Sequence, residues 1–148
     1  MRLSARVDYA LRAMAELAAA EGPRTVDQLA AEQRIPSKYL ENILGELRRG
    51  GLLRSQRGPD GGHRLARPAA EISIADVIRA LDGELANVRG NRPEDLAYTG
   101  AAAPLQEVWI ALRASERAIL EGVTLADVAS GQMPGSVAAL VANPAAWA

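Results

Sequence analysis

The sequence predicts a mainly α-helical fold that contains one small β-hairpin, followed by one long helix and a tail. Three observations predict this fold. Apolar residues recur every three or four positions over several segments, a glycine-rich turn separates two short extended segments, and residues 104–122 form the longest periodic stretch. The 148 residues fit one domain, or one small domain with an extension.

Three helices are predicted within the first 49 residues. Residues 4–20 carry apolar side chains at helical spacing and many alanines, and both features favour a helix. Thr25 and Gln28 have the spacing of a capping box, which begins a second, short helix. Pro36 begins a third helix over residues 36–49, because a proline in the first turn loses no hydrogen bond. The residues expected to be buried in the third helix are Leu40, Ile43, Leu44 and Leu47.

The β-hairpin is predicted from a dense cluster of turn residues. Residues 58–62 contain three glycines, one proline and one aspartate, which are residue types that form tight turns. The segments 52–57 and 63–66 on either side can pair as antiparallel strands. Arginines lie near both ends of this hairpin, so we expect it to be positively charged.

The second half of the chain is predicted to contain three further helices and a long loop. Ser73 caps a helix that ends at Gly83. Residues 84–103 show no periodicity, and loops of this length are often functional or mobile. Residues 104–122 form the longest helix, and Thr124 caps one more short helix.

The long helix has apolar residues on two sides. The larger strip consists of Leu105, Val108, Trp109, Leu112, Ile119 and Val123. A second strip of mostly small residues consists of Ile110, Ala114 and Ala118. Such a helix often packs both on its own domain and on another surface, so it is a candidate dimer contact. The expected division is 1–83 for a first domain, 84–103 for the loop, and 104–148 for the dimerisation helix and C-terminal tail.

The charge distribution is asymmetric although the net charge is only −1. Residues 34–67 hold eight basic and three acidic side chains, a local charge of +5. A basic block in an otherwise acidic chain favours a polyanionic partner such as a nucleic acid. The alternative is a solvated basic face without a partner.

Several classes of function are excluded by composition. The chain has no cysteine, which excludes disulfides, thiol catalysis and cysteine-ligated metal centres. His63 is the single histidine, so no histidine-rich metal site can form within one chain. No phosphate loop, serine-hydrolase motif or evident carboxylate pair is present, so we expect no enzyme and no catalytic residue. No apolar run reaches the ~20 residues of a membrane span, and no signal peptide is apparent, so we expect a soluble, cytoplasmic protein without a membrane partner.

The predicted order of helix, short helix, turn, helix and hairpin is that of a winged helix-turn-helix. A helix fits into the ~12 Å major groove of DNA, and an arginine-bearing hairpin beside it can reach the backbone or the minor groove. The candidate DNA-binding residues are Lys38, Tyr39, Glu41, Asn42, Arg48, Arg49, Arg54, Arg57, Gly58 and Arg64. Two alternatives stay open: Tyr39 could be a packing residue on the edge of the helix, and Arg48 and Arg49 could be charges at the helix C-terminus that interact favourably with the helix dipole.

Three segments resemble the Rrf2 family of bacterial transcription regulators. They are residues 38–44 (KYLENIL), 57–65 (RGPDGGHRL) and 72–83 (ISIADVIRALDG), and the resemblance extends over about residues 1–130. It implies a winged helix and a long dimerisation helix, assembled as a homodimer on palindromic promoter DNA. It also implies that Lys38, Tyr39 and Glu41 face the major groove, whereas Arg57 and Gly58 border the minor groove.

The sequence departs from the family where many members hold an iron–sulfur cluster. The resemblance relates three cysteines and a histidine of those members to the region of residues 101–103 and Gln106, which here are three alanines and a glutamine. It relates Asp8 to an acidic ligand of some relatives. One carboxylate cannot hold a cluster, so we expect no cofactor and no metal. At least one cluster-free type is controlled by a partner enzyme of cysteine synthesis, which makes sulfur metabolism an expected theme.

Together these inferences predict a homodimeric, sequence-specific DNA-binding regulator that acts as a repressor. The alternative is a winged-helix protein-interaction module whose activity is set by a partner protein or a small effector. Trp109 and the loop 84–103 form the candidate effector pocket, because such pockets are usually apolar and lined by aromatic residues. Trp109 could instead lie in the core or in the dimer seam.

Overall fold

The computed structural model describes residues 1–148 and contains seven α-helices and one two-stranded antiparallel sheet. The helices are α1 (Ala5–Ala19), α2 (Val26–Gln33), α3 (Ser37–Arg49), α4 (Ile74–Asp82), α5 (Leu105–Leu120), α6 (Leu125–Ser130) and α7 (Gly135–Ala142). The strands are β1 (Leu53–Gln56) and β2 (Gly62–Leu65). The predicted mainly helical fold with one small hairpin is therefore confirmed. None of the helices combines the length and the apolar character that crossing a membrane requires.

Three helices begin at the capping residues that the sequence predicts. The side chains of Thr25, Ser73 and Thr124 each accept a hydrogen bond from the backbone N–H three residues later, and that later side chain accepts one from the cap. The Ser4 hydroxyl oxygen accepts a hydrogen bond from the backbone N–H of Val7 at 3.2 Å, without a reciprocal bond, and α1 begins one residue later than predicted. Pro36 is the N-cap of α3 rather than part of its first turn.

The main hydrophobic core joins α1, α2, α3 and β1, and it also contains Leu125 of α6. All four predicted apolar residues of α3 lie in this core, and none is more than 2% exposed. The backbone N–H of Leu125 donates to the carbonyl oxygen of Ile72 at 2.9 Å. α6 therefore packs on α1 although it follows the long helix. The division of the chain at residues 83 and 104 remains a prediction.

The six apolar residues that the periodicity of α5 places in one strip fall into a buried group and an exposed group in the structure. Val123, just after the helix, is buried, and Trp109 is half-buried on the same side of the helix as Glu116. The exposed apolar stripe of α5 consists of Leu105, Val108, Leu112 and Ile119, which are between 40 and 52% exposed. One residue along a helix corresponds to a rotation of about 100°, which is enough to turn Trp109 inward while Val108 faces solvent.

The loop 84–103 and the tail are more regular than the sequence predicts. Two 3-10 turns form in the loop, at Pro93–Asp95 and Gly100–Ala102. The side-chain amide of Gln106 donates to the carbonyl oxygen of Leu96 at 2.6 Å, which ties the loop to α5. α7 forms in the tail although no apolar periodicity marks it.

Candidate nucleic-acid interface

α3 is held on the body of the subunit by its buried apolar residues and by one charged anchor. The side chain of Arg6 in α1 pairs with Glu46 of α3 at 2.6 Å. It also donates to the backbone carbonyl of Leu81 in α4 at 3.2 Å. A guanidinium group can join three helices in this way because it carries five donors in one plane. The outward face of α3 is therefore presented in a fixed orientation.

That outward face borders an open depression of about 470 Å³, which we call the α3 depression. Five predicted site residues line it, namely Tyr39, Glu41, Asn42, Arg48 and Arg49. Lys38 is also exposed on α3 but does not border the depression. The structure thus brings together all but one of the site residues predicted on this helix.

Tyr39 has a packing partner that sequence reasoning missed. Its ring meets the ring of Tyr9 in α1 edge-on, with the centroids 5.6 Å apart and the planes at 90°. The guanidinium carbon of Arg12 lies 5.4 Å from the centroid of the Tyr9 ring. Such aromatic pairs add about 0.5–1.5 kcal/mol beyond the area they bury. Tyr39 is nevertheless 42% exposed, so one edge packs while the rest of the side chain remains accessible.

The hairpin, residues 53–65, lies beside the C-terminal end of α3, and we call it the wing. Nη1 of Arg48 donates to Oγ of Ser55 in β1 at 3.2 Å, which joins α3 to the wing. Ser55 pairs with His63 across the strands, and Arg54 pairs with Arg64. Alternate side chains of a strand point to opposite faces. Arg54 and Arg64 therefore lie on the outer face of the wing, not beside the α3 depression.

The wing is also fixed to the segment that precedes α2. The backbone N–H of His63 donates to the carbonyl oxygen of Arg24 at 2.7 Å, and the N–H of Arg24 donates back to His63 at 2.9 Å. Burial lowers the pKa of His63, and the nearby Arg48 lowers it further. The imidazole is therefore neutral at pH 7. The positive charge of the wing comes from its arginines alone.

The cationic side chains of this region differ from the others in lacking carboxylate partners. None of the seven Lys and Arg side chains from Arg34 to Arg64 forms an ion pair, whereas eight of the ten elsewhere do. Arg54 and Arg64 even face each other across the wing, although like charges in that arrangement are destabilising. Arg57 and Gly58 are exposed at the tip. A region that keeps its cations unpaired in this way suits an external polyanion.

Trp109 lies apart from this surface, on the inner face of α5. Its indole N–H donates to the hydroxyl oxygen of Tyr98 at 3.0 Å. It lines a second cavity of about 390 Å³ between α4, α5 and residues 1–3. None of the ten predicted DNA-binding residues lines this cavity, so the structure separates the two candidate sites.

Comparison with known proteins identifies the family. The profile of the Rrf2 family, described as an iron-dependent transcriptional regulator, matches residues 3–131. The chain belongs to the Rrf2 family. A relative from Mycobacterium tuberculosis strain H37Rv, named as the HTH-type transcriptional regulator Rv1287, is 54% identical over 142 residues, which cover 95% of this chain and 88% of the relative. The HTH-type transcriptional regulator CymR of Bacillus subtilis strain 168 is 33% identical over 132 residues, which cover 88% of this chain and 91% of CymR.

Solved structures of Rrf2 proteins share the fold. The structure of CymR, described as the global cysteine regulator of B. subtilis, superposes with a TM-score of 0.77 at 31% identity and covers 90% of this chain and 99% of CymR. IscR of T. potens superposes with a TM-score of 0.71 at 30% identity, over 93% of this chain and 96% of IscR. This Rrf2 protein is accordingly a winged-helix, DNA-binding transcriptional regulator. Its family and its relatives are regulators rather than enzymes.

The residues of this Rrf2 protein do not fit the iron that the family description names. The chain has no cysteine, and no three side chains of His, Cys, Asp or Glu gather where a metal ion could bind. Gln106, which the resemblance relates to a histidine ligand, uses its amide to hold the loop backbone. Asp8, related to an acidic ligand, pairs with Arg12 at 3.1 Å. This donor set cannot hold an iron–sulfur cluster, so iron enters no step of the function proposed below.

Proposed function

We propose that this Rrf2 protein binds pseudo-palindromic promoter DNA as a homodimer and represses transcription there. In each subunit α3 enters the major groove, and the wing lies along the backbone or in the minor groove. The set of seven unpaired cations from Arg34 to Arg64 carries this assignment. Glu41, an exposed acid beside them, can accept a hydrogen bond from a cytosine amino group and so discriminate between bases.

The exposed apolar stripe of α5 supports the homodimer. Its residues 105, 108, 112 and 119 follow the three-and-four spacing of paired helices. Exposed contiguous apolar surface of this kind marks a protein interface. Pairing of α5 with its copy about a two-fold axis would bury the stripe. It would also present two α3 helices for half-sites about one DNA turn, or ~34 Å, apart.

Repression and a link to sulfur or cysteine metabolism complete the proposal. A dimer bound across a promoter occupies duplex that RNA polymerase needs, which favours repression. The likeness to CymR, described as a global cysteine regulator, favours the metabolic link. Genome-wide capture of the bound DNA, together with transcript levels in a deletion strain, tests both parts. Bound promoters outside sulfur genes would remove the metabolic link, and target transcripts that fall on deletion would exclude repression.

Arg57→Gln is expected to weaken binding to every duplex, by about tenfold at moderate salt, because one phosphate-neutralising charge is lost from each subunit. The slope of log affinity against log salt should decrease by about 2, that is by about 1 for each subunit of the proposed dimer. Fluorescence anisotropy titrations at several salt concentrations measure both quantities. Arg89→Gln is the matched control, since Arg89 is an exposed arginine without an ion pair in the loop. An unchanged salt slope for Arg57→Gln would show that the wing does not contact DNA.

Glu41→Ala is expected to change base preference more than affinity. A carboxylate contributes nothing to phosphate attraction, whereas a hydrogen bond to one base is worth about 1–3 kcal/mol of discrimination. Binding to a library of duplexes that vary at each operator position should show about a tenfold or greater loss of preference at one position per half-site. A uniform change at all positions would assign Glu41 to orientation of α3 rather than to base recognition.

Gly45→Ala is expected to stabilise the subunit by about 0.5–1 kcal/mol, because glycine disfavours a helix interior. An added Cβ would meet only Nη1 of Arg49, at 3.4 Å. Gly45 also lines the α3 depression, so the methyl group should lower DNA affinity several-fold by preventing close approach of the helix. Thermal unfolding and anisotropy titration measure the two effects. Unchanged DNA affinity would show that DNA binding by α3 does not require a glycine at position 45.

A further inference from the structure

A cavity separates α5 from the body of the subunit. Its volume of about 390 Å³ lies within the range of small-molecule sites, about 300–1,000 Å³. Ile78 of α4, Leu85 of the loop, and Trp109 and Leu112 of α5 form apolar walls. The cavity therefore has the size and much of the lining of a ligand site.

Glu116 of α5 brings an unpartnered carboxyl group to this cavity. The residue is only 9% exposed, and its Oε2 is buried without a hydrogen-bond partner. Asp82, another acid of the lining, does have a partner, since it accepts a hydrogen bond from the Ser4 hydroxyl at 2.9 Å. Burying an unpartnered carboxyl oxygen destabilises a fold. No group of the chain donates to Oε2 of Glu116, so a donor for it has to be an external molecule, either water or a ligand.

The charges of the lining favour a cation as that donor. Against the cationic side chain of Arg2 and the α-ammonium group of Met1, three carboxyl side chains line the cavity, those of Asp82, Glu84 and Glu116. No ion pair joins Arg2 to any of them. Trp109 adds an aromatic ring, which attracts cations to its face. An anion would meet net repulsion, and a neutral polar molecule would lose hydration against the apolar walls.

We propose that this cavity binds a small organic cation, namely a protonated amine on an apolar skeleton. The ammonium group donates to Oε2 of Glu116, and the hydrocarbon part packs against Trp109 and Leu85. An ammonium group carries three donors and no acceptor, so it matches a lining whose polar groups are mainly acceptors. A charge-assisted hydrogen bond of this kind is stronger than one between neutral groups.

A bound amine would contact several elements that set the geometry of DNA binding. Ile78 belongs to α4, Trp109 and Glu116 belong to α5, and residues 1–3 lead directly into α1. A ligand that prefers one angle between α5 and the body would change the spacing of the two α3 helices in a dimer. This regulatory consequence rests on the proposed function, whereas binding of the amine does not.

Titration of the full chain with matched probes tests the binding without DNA. Trp147→Phe leaves Trp109 as the single tryptophan, so its fluorescence reports on the cavity. The probes are 2-phenylethylamine, 2-phenylethanol and 3-phenylpropanoate, which share a phenyl group and differ in charge. The amine should bind saturably with a dissociation constant of about 1 mM or tighter. The alcohol should bind at least about tenfold more weakly, since it lacks the charge-assisted bond.

Two substitutions in the same background assign the contact. Glu116→Gln should reduce amine affinity at least about tenfold and leave alcohol affinity unchanged. Glu107→Gln, an exposed acid of α5 outside the lining, is the control and should change neither. Equal binding of the three probes, unaltered amine binding by Glu116→Gln, or no saturable amine binding up to about 10 mM overturns the proposal. Amine binding that appears only after Arg2→Gln also overturns it, because Arg2 would then be the resident cation. The probe series needs no variant at Glu116 and no DNA, so the outcome is independent of how Glu116→Gln folds and of the proposed function.

Discussion

Val108→Glu is expected to convert the proposed homodimer into monomers and to lower affinity for a full palindromic site by at least about 100-fold. Val108 is 52% exposed in the single subunit and belongs to neither hydrophobic cluster, so the subunit should keep its fold. In paired α5 helices the two new carboxylates would be close to the two-fold axis, desolvated and without partners. Each monomer would then hold one half-site and lose the avidity of two linked contacts.

Ala114→Glu is the matched control for this prediction, because residue 114 is also exposed but lies on a different side of α5. Light scattering after size-exclusion chromatography gives the mass, and anisotropy titrations on full-site and half-site duplexes give the affinities. Half-site affinity should be the same for Val108→Glu and the natural sequence. A dimeric Val108→Glu, or a monomeric Ala114→Glu, would place the seam on another side of α5.

The elements that sequence predicts correctly are those set by local chemistry. A cap and its partner are three residues apart, as at Thr25 and Ser73, so the signal is complete within one short segment. The buried and exposed faces of α5 cannot be predicted in this way. Which of its apolar residues turn inward depends on contacts with segments that are far away in the sequence. α6 packs on α1 and draws Val123 into the body, and no pattern within the helix encodes that contact. Trp109 and Val108 are therefore indistinguishable in the sequence.

The same distinction divides the residues of the candidate site. The outward face of α3 follows from its buried stripe, so Glu41 and Arg48 could be assigned before the structure was known. The contacts that hold α3 on α1 could not be assigned in this way, because they join residues far apart in the chain. Tyr9 meets Tyr39 across 30 positions, and Arg6 meets Glu46 across 40. The sequence hints at these two contacts only by placing a tyrosine and an arginine at positions of α1 that the apolar periodicity leaves half-exposed.

Gly62→Ala is expected to destabilise the subunit by about 2–4 kcal/mol, because it combines backbone strain with a steric clash. Gly62 has a φ of +144°, and an added Cβ would lie 2.5 Å from the carbonyl oxygen of Arg24. That oxygen accepts the hydrogen bond from His63 that fixes the wing, so alanine would push the wing off the body. Thermal unfolding should show a fall in Tm of roughly 5–15 °C. DNA affinity should also fall, by at least about tenfold, because the wing arginines lose their fixed position.

Gly58→Ala separates the two causes of this effect. Gly58 lies in the same wing and has a φ of +105°, but an added Cβ there would meet nothing within 4 Å. Gly58→Ala should therefore lower the free energy of unfolding only through backbone strain, by about 1–2 kcal/mol. If Gly62→Ala destabilised no more than Gly58→Ala, the approach to Arg24 would not hold the wing. If Gly62→Ala lost stability but kept full DNA affinity and salt dependence, α3 alone would bind DNA, since an arginine on a displaced wing cannot keep a defined phosphate contact.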